Sequence, residues 1–437
     1  MTRILVYSHD TYGLGNIRRM LAIVEHLVAT IPDASVLILS GSPMMQAFRL
    51  SPRIDYIKLP CLSRTEEGIY ESKFLDLDYE QLLGLRADII LNTILGFDPD
   101  LMLVDKKPLG VQNELAPALE VLSRRAKRPK LVLLLREILD EPKATISVWE
   151  KNRYHDTIKD LYDAVLVLGA ADVFDTAAEY EFPQATRALL RYCGYIAKAD
   201  ACRPVADVRR ELGINGQRMV LVTAGGGKDG QCLMDTALSS FARPDRPDAC
   251  HVLLCLGPEM NPDERNRIRD IARQTPDTSI LDFTNDMMSY LGAADLVISM
   301  AGYNSVTELL TLRKSAILVP RTAPVREQWL RATRLEKLGF FSVLHPDQLT
   351  PNTLMRMVKQ SLLHDGANES NGMSVDMDAL PNVGRYVREL LSEGSNSGWN
   401  KMLLESKPSI EQKMPVSILD RLPPVATEEP MRRLHER

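Results

Sequence analysis

A short apolar run, residues 293–299 (AADLVIS), passes through a small loop containing Gly302 directly into a helical pattern that begins near Asn304. A short, mostly apolar run bounded by a turn reads as a strand buried on both faces, the mark of a parallel sheet covered by helices. Gly302 permits a tight turn and a close backbone approach. Asn304 or Ser305 is placed to cap the helix, whose first N–H groups then point into the loop and form an anion site. Glu308 lies about one turn further in, where a carboxylate accepts hydrogen bonds from a sugar or ribose. The plain alternative is an ordinary strand-to-helix turn.

The same order of strand, glycine loop and helix recurs twice. Residues 3–8 form a strand and 9–16 (HDTYGLGN) a loop. Residues 17–28 then place Ile17, Met20, Leu21, Val24, Leu27 and Val28 on one helical face. Residues 218–223 form a strand, 224–230 (AGGGKDG) a loop and 231–241 a helix. Further strands are expected at 36–40, 54–59, 101–104, 131–135, 164–168, 251–255, 278–281, 315–319 and 341–344. Helices are expected at 112–125, 262–273, 304–312, 325–338 and 378–391. A chain of 437 residues with this alternation implies two doubly wound, parallel-sheet α/β domains. The division expected is 1–196, a linker at 197–205, a second domain at 206–376, a late helix at 377–392 packing back on the first domain, and a disordered tail at 393–437.

Hydrophobic residues make up 45% and charged residues 25%, and the formal net charge is −5. That balance suits a soluble globular protein and argues against a global nucleic-acid binder. No apolar run reaches membrane-span length. The amino terminus meets His9 and Asp10 too early for a signal peptide. Cys61, Cys193, Cys202, Cys232, Cys250 and Cys255 are scattered without a CxxC pair, so reduced thiols in a cytoplasmic protein are expected. No metal site is expected from this spacing.

Ligands of such folds sit at the carboxyl ends of the strands, and the candidate loops all lie there. Gly225, Gly226 and Gly227 leave backbone N–H groups uncovered at the mouth of a helix, with Lys228 adding charge. The loop lacks the GK[ST] ending of a phosphate-binding P-loop. Gly13 and Gly15 are not a GxGxxG, so a dinucleotide site is weakly supported. Arg321, Arg326, Glu327 and Gln328 open the next helix, where they suit either sugar and phosphate contacts or a charged solvent-facing start. Arg136 and Glu137 follow one strand, and residues 105–108 (DKKP) follow another; a functional loop stands even with the start of a helix for the first and with a solvated turn for the second. His9 is the candidate general base, with Asp10 beside it to orient it or raise its pKa, against the alternative of a histidine that only packs or hydrogen-bonds at a strand end.

These segments together resemble the glycosyltransferase family 28 C-terminal domain, the family of MurG-type N-acetylglucosaminyltransferases. The resemblance is carried by residues 282–309 (DFTNDMMSYLGAADLVISMAGYNSVTEL), by 318–321 (LVPR), and by Arg326, Glu327, Gln328 and Ala332. Residues 9–16, 104–110 and 135–140 are similar to a divergent bacterial branch of such transferases. The resemblance covers roughly residues 1–390. It implies a GT-B fold of two Rossmann-like domains facing across a cleft, with the donor on the second domain and the acceptor on the first. It implies inverting, metal-independent transfer of a sugar from a nucleoside diphosphate, uridine by analogy, with the nucleotide sugar as co-substrate and no other cofactor. It places Gly225, Gly226, Gly227, Lys228, Gly302, Asn304 and Ser305 at the diphosphate, Glu308 at the ribose, Met287 by the base, and Arg326, Glu327 and Gln328 at the donor sugar. Gly13, Gly15, Asn16, Arg136 and Glu137 fall on the acceptor side. Relatives usually carry histidine where this chain has Asn16, so that either His9 or Asp10 takes the role of base or the transfer activity is weakened.

Two other functions stand beside transfer: a UDP-sugar 2-epimerase on the same fold, and a catalytically silent nucleotide-sugar binder. The hydroxyl acceptor is a polysaccharide, a lipid-linked sugar or a small molecule. Arg18, Arg19 and the basic run 124–130 offer a peripheral contact with the inner face of the plasma membrane, against the alternative of solvated helix ends.

Overall fold

Each half is built outward from one buried central strand. In the computed structural model, residues 1–9, 14–64, 70–197, 202–363 and 374–392 are described. Asp10, Gly13, residues 198–201 of the expected linker and the expected tail lie outside them.

The first sheet contains β1 (Thr2–Ser8), β2 (Ala34–Ser40) and β3 (Ile54–Lys58). A small antiparallel hairpin of β4 (Leu62–Arg64) and β5 (Tyr70–Ser72) follows. The sheet continues with β6 (Leu101–Asp105), β7 (Lys130–Arg136), β8 (Ala164–Leu168) and β9 (Leu190–Gly194). Its order is β3-β2-β1-β6-β7-β8-β9, with every pair parallel. The order reverses at β1, so the carboxyl ends of β1 and β6 flank a crevice.

The second sheet contains β10 (Arg218–Thr223), β11 (Cys250–Cys255), β12 (Thr278–Leu281), β13 (Leu296–Ser299), β14 (Ala316–Leu318) and β15 (Ser342–Val343). Its order is β12-β11-β10-β13-β14-β15, again parallel throughout. Here the reversal falls between β10 and β13, the strands that carry the three-glycine loop and the Gly302 loop. The chain therefore has the GT-B arrangement of two parallel-sheet α/β halves that the sequence implied.

Strand composition explains the burial. The five residues of β6 and of β8 are all buried, as continuous apolar runs covered on both faces must be. The helix Leu14–Thr30 turns Ile17, Met20, Leu21, Val24, Leu27 and Val28 inward, and all six are buried. The closing helix Ala379–Ser392 buries Ala379, Val383 and Val387 in the same apolar cluster. Its Asn382 Nδ2 donates to the Cys193 carbonyl at 3.0 Å, which holds it against β9. Among the described residues no helix is long and apolar enough to cross a membrane.

Several element boundaries differ from expectation. The helix expected over 112–125 is a 3-10 turn, Val111–Asn113, followed by the helix Ala116–Ser123. Gln112 and Asn113 have φ of 49° and 65°, which no right-handed helix tolerates. The helix expected from Asn304 begins at Tyr303, with Gly302 as its N-cap and no side-chain capping bond. The buried Tyr303 ring packs 5.9 Å from the Tyr195 ring and lies under the guanidinium groups of Arg19 and Arg331, at 6.0 and 5.6 Å. That packing draws the helix start forward by one residue. The helix expected over 325–338 spans Glu327–Lys337, and the strand expected at 341–344 is Ser342–Val343.

Candidate functional site

The carboxyl ends of both sheets line one cavity of about 360 Å³. Three loops of the second half build one wall. After β10, Gly225 and Gly227 adopt φ of 64° and 95°, in the left-handed region. A Cβ on Gly227 would stand 2.4 Å from the Leu256 carbonyl oxygen, and one on Gly257 would stand 2.5 Å from that of Gly225. The loops after β10 and β11 therefore interlock at backbone contact. The Glu259 N–H donates to the Gly226 carbonyl at 2.8 Å. Burial raises the Glu259 carboxyl pKa, against the nearby Lys228 and Lys73.

The third loop follows β13 and leads into the helix Tyr303–Thr311, whose first turn presents Asn304 and Ser305. Ser305 Oγ faces the position where a Gly225 side chain would begin, at 3.9 Å. A glycine loop and a helix start thus lie side by side on the cavity wall, an arrangement suited to phosphate oxygens. Glu308, only 6% exposed, lines the same space. Phe283, Thr284 and Met287 close one end. At the other end Gln328 Oε1 accepts from the Arg321 N–H at 3.0 Å, and Arg321 pairs with Asp229 at 2.7 Å.

The first half contributes Asn16, Arg18, Arg19 and Arg136. Asn16 Nδ2 donates to the His9 carbonyl at 3.0 Å, tying the helix start to the end of β1. Arg19 pairs with Asp105 at 2.8 Å, both side chains almost wholly buried. The cavity lining carries Arg18, Arg19, Arg136, Lys228 and Arg321 against Asp229, Glu259 and Glu308, an excess of positive charge.

A seam of ion pairs joins the halves beside the cavity, and most of it comes from one helix, Glu327–Lys337. Glu327 meets Arg136 at 2.7 Å, and Arg331 meets Glu137 at 2.9 Å with both side chains fully buried. Arg334 pairs with Glu179. Just before the helix, the Arg326 N–H donates to Asp140 Oδ1 at 2.9 Å and its guanidinium approaches Glu141 at 3.2 Å. Arg331 also donates to the Ala301 carbonyl in the Gly302 loop, at 3.1 Å. Burial alone would raise the Glu327 pKa, but Arg136, Arg331 and Lys106 outweigh it and hold the group lowered and ionised.

The cavity thus gathers Gly225, Gly226, Gly227, Lys228, Met287, Gly302, Asn304, Ser305, Glu308 and Gln328 from the expected donor set, with Asn16 and Arg136 from the acceptor set. Arg326, Glu327 and Glu137 stand at the seam instead, engaged by partners from the opposite half. Gly15 lies within the helix Leu14–Thr30. His9 is 2% exposed, and its Nδ1 has no hydrogen-bond partner among the described residues. Burial first, then Lys106, Lys107, Arg86 and Arg136, push its pKa well below the usual value, so the imidazole is neutral. Sequence reasoning missed Gly257, Glu259 and the cavity role of Arg19. The Gly257-Pro258 step after an apolar strand was the available signal for the first two.

Residues 219–377 match the model of the glycosyltransferase family 28 C-terminal domain. Among curated proteins, the chain is 32% identical over 118 residues to the UDP-N-acetylglucosamine--N-acetylmuramyl-(pentapeptide) pyrophosphoryl-undecaprenol N-acetylglucosamine transferase of Caldicellulosiruptor saccharolyticus. That alignment covers 26% of this chain and 32% of the relative. The matched segment thus spans about a third of that relative's length. Among solved structures, Acinetobacter baumannii MurG aligns with a TM-score of 0.57 at 14% identity, over 90% of this chain and 99% of its own. A putative UDP-N-acetylglucosamine 2-epimerase from Listeria monocytogenes aligns with a TM-score of 0.59 at 11% identity, over 88% and 94%. At these identities the structural likeness establishes the fold.

Proposed function

We propose, from the family 28 match over residues 219–377 and the GT-B fold, that this chain is an inverting, metal-independent glycosyltransferase using a UDP-sugar donor. The observation that carries the reading is the cavity in which the three-glycine loop adjoins the Asn304–Ser305 helix start, with Glu308 one turn in. Loop N–H groups and the helix start take the diphosphate, Glu308 takes the ribose hydroxyls, and Phe283, Thr284 and Met287 border the base. Gln328 reaches the sugar.

In the reaction, the acceptor hydroxyl oxygen attacks C1 of the donor sugar from the face opposite the leaving group. The bond from C1 to the β-phosphate oxygen breaks, and its electron pair leaves on the nucleoside diphosphate. The hydroxyl proton passes to a base on the first half, for which His9, with Asp10 beside it, is the proposed group. The imidazole is neutral, but the burial and nearby cations that keep it so also weaken it as a base, and it is not among the residues that line the cavity. Lys228, Arg321 and Arg136 supply the positive charge that stabilises the leaving diphosphate, so transfer proceeds with a chelator present.

By analogy with the curated relative, the proposed acceptor is lipid-linked, and the proposed location is the inner face of the plasma membrane, reached peripherally. The test is product analysis with UDP-sugars and a panel of lipid-linked and soluble acceptors, on wild type and His9→Ala. UDP release coupled to an acceptor-dependent glycoside of inverted anomeric configuration supports the reading, and retained configuration refutes inversion. Full turnover in His9→Ala removes His9 from the role. The Listeria neighbour motivates the second reading: an epimerised UDP-sugar formed without acceptor would favour it.

A further inference from the structure

Arg136 belongs to the first sheet, lines the cavity of the second half and is gripped by a residue of the second half. It is the last residue of β7, so the strand fixes its Cα at the cavity wall. Glu327 holds the guanidinium: Nη1 donates to Oε1 at 3.1 Å, and Nη2 stands 2.7 Å from Oε2 without hydrogen-bond geometry. A planar guanidinium held by an ion pair and a hydrogen bond has its remaining N–H groups confined to a narrow range of directions. Those remaining groups make no hydrogen bond among the described residues, although the side chain is only 14% exposed. Gln328 stands in a similar state. Its Oε1 is occupied by the Arg321 N–H, which leaves its amide N–H groups uncommitted beside the cavity. The two halves thus present uncommitted donors into one space beyond the glycine loop, and Glu327, next in sequence to Gln328, directs its carboxylate to the arginine.

We propose that Arg136 binds the terminal phosphate of the nucleoside diphosphate from across the cleft, and that Glu327 is a positioning residue that holds it there. This rests on the donor reading above and changes the role expected for Glu327, from a sugar contact to an orienting group. The phosphate bound to the sugar is then clamped between the second half's glycine loop and an arginine of the first half. Donor binding therefore requires both halves.

Titration calorimetry with UDP and UMP, with the GDP/GMP and dTDP/dTMP pairs run alongside, tests this on the full chain. The probe pair differs only in the phosphate at issue. Wild type is expected to prefer the diphosphate. Arg136→Gln should weaken the diphosphate by about ten- to a hundredfold and the monophosphate by less than about twofold, the loss of a hydrogen bond to a charged group. Arg136→Lys, which keeps the charge without the fork, should fall between. Glu327→Gln should weaken the diphosphate selectively but by less than Arg136→Gln.

Arg136→Gln leaves the Glu327 carboxylate buried without its partner and risks misfolding, so the double variant Arg136→Gln/Glu327→Gln is measured as well. It should show the same selective loss. A wild-type preference for the diphosphate that survives unchanged in the double variant overturns the proposal and leaves the donor reading standing. Equal weakening of mono- and diphosphate also overturns it, because a contact to the terminal phosphate must discriminate. A wild type that binds neither member of any pair overturns the donor reading itself, and this inference with it.

Discussion

The two walls of the cavity are made in different ways. The second half offers backbone: glycines at positive φ, a helix start without a side-chain cap, and loops that interlock at carbonyl contact. The first half offers side chains, Asn16, Arg18, Arg19 and Arg136. Arg19 is held by Asp105 of its own half and Arg136 by Glu327 of the second; elsewhere in the first half Arg86 donates to both oxygens of Glu114 with Tyr7 as third partner, and Glu137 holds Arg331 of the second half. A wall of backbone N–H groups is set by turn geometry and takes whatever anion fits it. A wall of buried ion pairs is costly to desolvate and is disrupted by removing any one member. One wall is therefore set by backbone geometry and the other by paired side chains.

The largest effect that would break this contrast is on stability. Arg331→Met leaves the Glu137 carboxylate buried without its partner. Denaturant unfolding should then show a loss of about 3–5 kcal/mol. The double variant Arg331→Met/Glu137→Leu should recover much of it. A single variant as stable as wild type would mean that the seam does not hold the halves together.

Next is a glycine pair in the second half. Gly227→Ala meets both the Leu256 carbonyl at 2.4 Å and a φ of 95°. Gly302 has φ of −63°, and a Cβ added there would meet nothing within 4 Å. Gly227→Ala should abolish nucleotide binding by calorimetry, and Gly302→Ala should keep the fold and alter binding far less. Equal effects would contradict the account of the cradle.

A smaller effect comes from pH. His9 binds its proton in the folded state only well below its ordinary pKa of about 6.5. As pH falls through that value the unfolded chain takes up the proton first, so stability should decline from about pH 7 downward until the folded pKa is reached. Thermal melts of wild type and His9→Gln between pH 8 and pH 5 should differ in that slope, with the variant flatter. Identical slopes would mean that His9 is protonated as easily folded as unfolded.

The same contrast explains what the sequence disclosed. Gly225 to Gly227, Gly302 and Glu308 were legible because strand, glycine loop and helix follow one another within a few residues, and local pattern carries the geometry. The roles of Arg136, Glu137, Glu327 and Arg331 were not legible. Their partners lie 191 and 194 residues apart in the chain, and a charged helix start looks the same in solvent as at a seam. His9 was found by its position at a strand end, but the groups that act on it, Lys106, Lys107, Arg86 and Arg136, are far away in the chain, and no local window contains them. The hairpin of β4 and β5 and the edge strand β9 were missed because their runs are short and mixed in polarity.

The central claim is a nucleotide-diphosphate site at the carboxyl edge of the second sheet. A thermal-shift series with UDP, GDP and dTDP on wild type and Glu308→Ala tests it most directly. The account predicts that UDP raises the wild-type melting temperature in a concentration-dependent way. It also predicts that Glu308→Ala, folded but lacking the ribose acceptor, loses most of that rise. No rise with any nucleotide, or an equal rise in the variant, would contradict it.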